Sequence, residues 1–408
     1  MITSSSRMGL GNAGSVYIRA DNISLNKDSS SSQNVVISTQ TGDPRAPLRM
    51  GNGNAGNIDI STPGYFLITN GAQIISGTST LNGAAGSISI NAGKLIIDGY
   101  YGDSSIPSNI NARAYKISGN SSSGQTGIIT IHANEMILSN SGQITIQNDA
   151  TVANPSLLTP TSISITADRI TLNDASISAA STGNVAASNI VVNFTDLLHL
   201  EPSSITTSAQ NGNGGAITIN GGRLIWLDNS QITTSVLGAT GNGGDISINA
   251  DGMLMATGFI QANTAATGAA GGLVDIHVPT LLASGSNVFV GGSTQQVFAP
   301  DQFGLNVIQA AAPDGVSGEI NLSAPVLDVS GSMATLGVPA MGAVPLGRNP
   351  CATLAGSSLN TTGIDILPPA ARDSLSLDLP VDTPVQSGGS IPQGAPRGVA
   401  SSGTECRP

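Results

Sequence analysis

Apolar and polar residues alternate along most of the chain in short phrases, and one phrase keeps returning. Its clearest form is Gly241-Asn242-Gly243-Gly244-Asp245-Ile246-Ser247-Ile248. The Ile-x-Ile part puts both isoleucines on one face of a pleated strand. The glycines suit a tight corner, because glycine enters positive φ at almost no steric cost. Counterparts of Ile246 fall at Val16, Ile58, Ile88, Ile129, Ile163, Ile190, Ile217, Val274 and Ile320, giving ten copies at steps of 42, 30, 41, 34, 27, 27, 29, 28 and 46 residues. The shortest steps cluster at 27–29, so the longer ones read as the same unit carrying inserted loops.

Each unit holds three short apolar phrases. After Ile163-Ser164-Ile165 come Ile170-Thr171-Leu172 and Ser176-Ile177-Ser178, and the series repeats at Ile217, Ile225 and Ile232 and at Ile246, Met253 and Phe259-Ile260. Three strands in a period near 28 residues describe one triangular coil. A single coil cannot bury its inward side chains, but stacked coils can. The pattern therefore predicts an all-β right-handed parallel β-helix of about ten three-strand coils. At about 4.8 Å per strand the stack would be roughly 50 Å long. The unit is too short for a propeller blade, and it lacks the fixed leucine and asparagine phrase of a leucine-rich repeat.

The long steps place inserted loops near Asn26 to Met50, Tyr100 to Gly124, Asp149 to Thr161 and Gly291 to Gly315, the last expected to carry a single helical turn. Loops on a rigid scaffold are common places for binding. Outward strand positions, such as Ser164, Thr171, Thr218 and Ser247, predict a neutral hydrogen-bonding surface suited to glycans or protein. Residues 1–333 form the repeat region. From Ala334 onward prolines from Pro339 to Pro396 break the pattern, so 334–408 reads as a mostly irregular Pro/Gly/Ser-rich tail.

Composition narrows the function. Net charge is −11, and only Lys94, Arg113, Lys116, Arg169 and Arg223 are basic between Gly51 and Met333, too few to neutralise a nucleic acid. The histidines, His132, His199 and His277, are widely spaced and have no cysteine or carboxylate cluster beside them, so no metal or other cofactor is expected. β-Helices also host polysaccharide lyases and hydrolases, which makes such an enzyme the alternative reading. The candidate carboxylates Asp59, Asp168, Asp245 and Asp275 fall instead at outward or corner positions, where a turn residue commonly bonds to backbone. No catalytic residue is assigned and a non-enzymatic role is expected. No apolar run reaches the roughly 20 residues of a membrane-spanning helix, and Met1 to Arg7 lead into no apolar signal segment. Cys351 and Cys406 enclose 54 residues of the tail, and a disulfide and two free thiols are both open readings.

The Gly-Asn-Gly-Gly-Asp/Ala-Ile-Ser/Thr-Ile units of residues 211–219 and 241–248, with their Ala-Asp/Asn-x-Ile-x-Leu successor, resemble the filamentous-haemagglutinin class of large exoproteins. Cys351 followed by Gly356-Ser357-Ser358 and Gly363-Ile364-Asp365-Ile366-Leu367-Pro368-Pro369 is similar to the C-terminal end of such proteins. The resemblance covers roughly residues 11–333 plus this tail phrase. It implies an adhesin that is the passenger of two-partner secretion, with an outer-membrane pore as export partner. It also implies a secreted or cell-surface location and a glycan or protein ligand on a host, a surface or a neighbouring cell. Some adhesins of the class stay attached through a C-terminal disulfide loop, a role that Cys351 and Cys406 would take. The class's signal peptide and secretion domain have no counterpart here, so the chain resembles the C-terminal segment of a longer exoprotein, or a gene fragment that is not exported.

Overall fold

The computed structural model describes residues 1–6, 11–27, 34–42, 52–101, 104–117, 122–300 and 302–323. All belong to the first of the chain's two units, Met1–Thr335. The tail beyond Ser323, with Cys351 and Cys406, lies outside the described residues.

The chain coils into a parallel β-helix. Twenty-three strands join in one sheet, and a small antiparallel hairpin, Tyr100–Tyr101 with Ser104–Pro107, is the exception. Three ladders run along the stack. The first takes the ten repeat phrases in strict register, from Val16 through Ile58, Ile88, Ile129, Ile163, Ile190, Ile217, Ile246 and Val274 to Ile320. The second begins at Ile23 and passes through Phe66, Leu95, Met136, Ile170, Leu198, Ile225 and Met253 to Leu281. The third starts at Ile2 and runs through Ile37, Ile74, Ile110, Ile144, Ile177, Ile205, Ile232 and Ile260 to Ile308.

Inward residues of all three ladders meet in one continuous core. Ile58, Ile88, Ile163 and Ile246 are fully buried, as are Phe66, Leu138 and Ile177. Burying one such side chain contributes about 1.5–3 kcal/mol, so the stack is held mainly by columns of like residues on neighbouring coils. Within the described residues no helix is long and apolar enough to cross a membrane.

Glycine serves the first corner in two ways. Gly241 does take φ +123°, as the sequence suggests. Gly244 has no positive φ and is needed for another reason: a Cβ there would sit 2.2 Å from the carbonyl oxygen of Gly215 on the preceding coil. Close stacking, rather than turn geometry, excludes a side chain at that position.

Buried hydroxyls brace the same corner from inside. Thr207 donates to the Gly215 carbonyl at 2.7 Å, and Thr264 to that of Gly241 at 2.9 Å. Thr234 does the same for Gly244. Outside, Asn and Asp side chains tie coil to coil. The Leu273 amide donates to Asp245 Oδ1 at 2.8 Å, that of Ala270 to Asn242 Oδ1 at 3.0 Å, and that of Asn242 to Asn213 Oδ1 at 3.0 Å. Asp245 is thus a corner residue bonded to backbone.

Two expected loops contain strands of the third ladder. Val36–Thr41 lies within the first expected insertion, and Asn109–Ala114 within the second. Their inward positions carry Ile37 with buried Thr39 and Thr41, and Ile110 with Ala112, so the second apolar residue that marks other strands is a hydroxyl or a methyl group. The third insertion holds a 3₁₀ turn, Pro155–Leu157. In the fourth, the described residues form no helical turn. Asn306–Gln309 is a strand instead, buried at all four positions, with Val307 and Ile308 beside Phe259 and Ile260. Filling those two columns outweighs local helical preference. The preceding strand, Val288–Val290, pairs with the outer side of Asn306–Gln309, so the chain passes one rung beyond its place and returns.

Candidate binding groove along the third ladder

The corner between the second and third ladders is turned by residues in left-handed conformation: Asn70, Asn140, Asp174 and Asn229, with φ of 57°, 47°, 48° and 45°. Asn and Asp tolerate that region better than most residues. Just after this corner, Gln143, Ser176, Ser204 and Gln231 occupy successive rungs of one outward column. The next outward column along the same strands holds Thr145, Ser178, Thr206 and Thr233. This face is neutral and rich in hydrogen-bonding groups, as the sequence predicts for outward positions.

At the following rung the column changes to Phe259, fully buried beneath the 291–305 loop. Phe298 of that loop meets Phe259 edge to face, with centroids 5.1 Å apart and planes at 78°. One buried amide pins the loop and a second ties the turn before it to the stack. Gln309 Nε2 donates to the carbonyls of Thr294 (2.8 Å) and Gly291 (3.1 Å), while its Oε1 accepts from the Gln296 amide (2.9 Å). Asn306 Nδ2 donates to the Ser284 carbonyl at 2.9 Å, and its Oδ1 accepts from the Gly258 amide at 3.0 Å. Thr257 stands at φ +60°, a costly conformation for a β-branched residue, and its hydroxyl donates to the Gln302 carbonyl.

Phe298 and Pro300 therefore close one end of a cleft of about 360 Å³ that runs along four coils. Its floor and rims are Ser141, Gln143, Asp174, Ser176, Ser204, Asn229 and Gln231, with Asp174 the one ionisable group in the lining. Asp174 Oδ2 accepts from the Ser141 hydroxyl at 3.2 Å. The sequence gives the polar column but misses the aromatic wall, because the loop that carries Phe298 has no repeat phrase to place it.

The second ladder departs from the expected polar exterior. Its middle outward column reads Ser24, Leu67, Ile96, Ile137, Thr171, His199, Trp226, Leu254 and Leu282. Most of these are half-buried because each covers the next, and the His199 ring stacks on Trp226 with centroids 4.1 Å apart. Polar exteriors hold for the first and third ladders, whereas in the second this middle column is largely apolar between polar flanking columns, Lys94, Glu135 and Arg169 on one side and Asp98, Ser139, Asn173 and Glu201 on the other.

The other sequence-singled residues stay apart. His132 and His277 share an outward column of the first ladder but stand five rungs from each other, about 24 Å at strand spacing. Among the described residues no group of three His, Cys, Asp or Glu side chains is placed to hold a metal ion. Asp59 and Asp275 share a column seven rungs apart, about 34 Å, well beyond the separation at which paired carboxylates cleave glycosidic bonds. Asp168 accepts from the Thr195 hydroxyl at 2.8 Å at the corner between the first two ladders. Four of the five cations noted above are paired across coils. Lys94 meets Glu135 at 2.8 Å, Arg113 meets Asp149, and Arg169 and Arg223 share Asp196 at 2.8 and 3.1 Å.

Comparison of the chain with protein-family models, with curated proteins and with solved structures gives no match.

Proposed function

We propose that this protein is a structural and interaction module, a rod of stacked coils that presents a binding surface at the cell exterior and acts in adhesion. The observation that carries the reading is the third ladder. Its outward positions hold neutral hydrogen-bonding side chains in register over four coils, Gln143, Ser176, Ser204 and Gln231, beside a loop held down by the buried amide of Gln309. A rigid lattice with an ordered polar exterior suits repeated weak contacts better than chemistry at one point.

The resemblance of the repeat phrase to filamentous-haemagglutinin-like exoproteins supports a cell-surface setting and export through a two-partner outer-membrane pore. Under that reading the ligand is a glycan or protein of a host, an abiotic surface or a neighbouring cell.

The test is attachment. Beads coated with the purified chain are offered to surfaces bearing polysaccharides and glycoproteins, against albumin-coated beads. Retention several-fold above the albumin control is expected on at least one surface. Equal retention on all surfaces contradicts adhesion, and release of reducing ends or unsaturated sugars from a coating identifies a polysaccharide-active enzyme instead.

A further inference from the structure

The groove on the third ladder has a more specific chemistry than a general adhesive surface. Its floor offers two hydroxyls flanked by two amides, Gln143, Ser176, Ser204 and Gln231, one per coil. Each carries both a donor and an acceptor. Successive groups are about 4.8 Å apart, the strand spacing, so the polar array repeats along the axis with a period close to the rise of one sugar in an extended chain. Phe298, half-buried against Phe259, lines one end of the cleft and offers aromatic surface there for the C–H groups of a sugar ring. A volume of about 360 Å³ lies within the range of small-ligand sites.

Charge sets the class. No lysine or arginine lines the cleft, and its one ionisable group is Asp174. A sulfated or carboxylated glycan would bring negative charge to a carboxylate with no cation to offset it. Arg169 and Arg223 are held by Asp196 at the opposite corner of the second ladder, and Arg113, on the third ladder one rung before Gln147, is held by Asp149.

We infer that this groove binds an uncharged, extended oligosaccharide of about three to four sugars, lying along the coil axis over Gln143, Ser176, Ser204 and Gln231 with its terminal ring against Phe298. The inference rests on the interaction reading above and names the ligand class for one site of it. The loop network explains why the wall is rigid. Gln309 anchors its first part at Gly291, Thr294 and Gln296, and Thr257 in its strained conformation holds its last part at Gln302 and Gly304. Preorganisation of this kind lowers the entropy lost on binding.

Calorimetric titration of the full 408-residue chain with cellohexaose, laminarihexaose, mannohexaose and xylohexaose, and with a heparin hexasaccharide as anionic control, tests the inference. At least one neutral hexasaccharide is expected to bind saturably, and the heparin fragment not to bind. Phe298→Ala is expected to weaken the neutral ligand about tenfold, a loss of about 1.4 kcal/mol, and Phe298→Tyr to keep it. Ser204→Lys leaves the loop untouched and fills the groove, and it is expected to abolish binding. Circular dichroism and melting check that each variant keeps the fold. Absence of binding for all four neutral sugars at millimolar concentration overturns the inference. So does tighter binding of heparin, or equal affinity in the Phe298→Ala and Ser204→Lys proteins. Bead attachment that survives either result leaves the adhesive reading standing while the groove assignment falls; loss of both rejects the two together.

Discussion

Gly244 and Thr234 hold one corner from opposite sides, and both make predictions. A methyl group at Gly244 would press on the Gly215 carbonyl of the coil below, so Gly244→Ala is expected to destabilise the chain by about 1–3 kcal/mol. Gly11 faces open space, and Gly11→Ala should leave the melting temperature nearly unchanged. Comparing the two thermal transitions checks the stacking explanation, and equal shifts would contradict it. Thr234→Val removes the buried donor to the Gly244 carbonyl at nearly constant volume, at an expected cost of about 1–2 kcal/mol, whereas Thr234→Ser keeps the donor and most of the stability. At this scale the sequence was readable in part. It located the glycine corner and the backbone-bonding role of Asp245, but it ascribed all the glycines to turn geometry, because contact with the next coil leaves no mark within a single repeat.

Strands with two inward apolar residues announce themselves, and strands that substitute hydroxyl or methyl groups do not. Ile163-Ser164-Ile165 is visible in any window, whereas Val36–Thr41 buries Ile37 beside Thr39 and Thr41, and Asn109–Ala114 buries Ile110 beside Ala112. Alternation alone therefore read both as loops. Asn306–Gln309 was misread for the opposite reason: every position is buried, so no period of two survives. The apolar outer column of the second ladder, from Leu67 to Leu282, was hidden because single phrases such as Leu95-Ile96-Ile97 do not say which residue faces out. The loop carrying Phe298 gives the prediction that belongs to this scale. Gln309→Leu removes the bonds donated to Thr294 and Gly291 and the acceptor of the Gln296 amide, so limited proteolysis within 291–305 should accelerate while the circular dichroism of the coils is retained. Unchanged cleavage would show that the amide network does not pin the loop.

For the repeat region as a whole, each coil touches mainly its neighbours, so stability is close to a sum of coil and interface terms. Deleting residues 217–245 removes one coil and brings Ile246 into the place of Ile217 beside Ile190. That deletion is expected to fold with a β-rich spectrum and a cooperative melt, whereas deleting only 217–230 breaks the register and is expected to give an unfolded or aggregated product. The architecture was legible in the sequence because ten phrases repeat with the same three parts. The groove was less so, since its floor comes from four coils and its wall from an insertion. Register along the first ladder is the central claim, and it is measurable by pulsed dipolar spectroscopy. Spin labels would be placed at outward positions of one column, at Asp59 paired in turn with Thr218, Ser247 and Asp275, in a chain with Cys351 and Cys406 replaced by serine. These pairs span five, six and seven rungs, so distances near 24, 29 and 34 Å are expected, rising by about 4.8 Å per coil. Distances that fail to rise by one rung from pair to pair would contradict the stacked parallel β-helix.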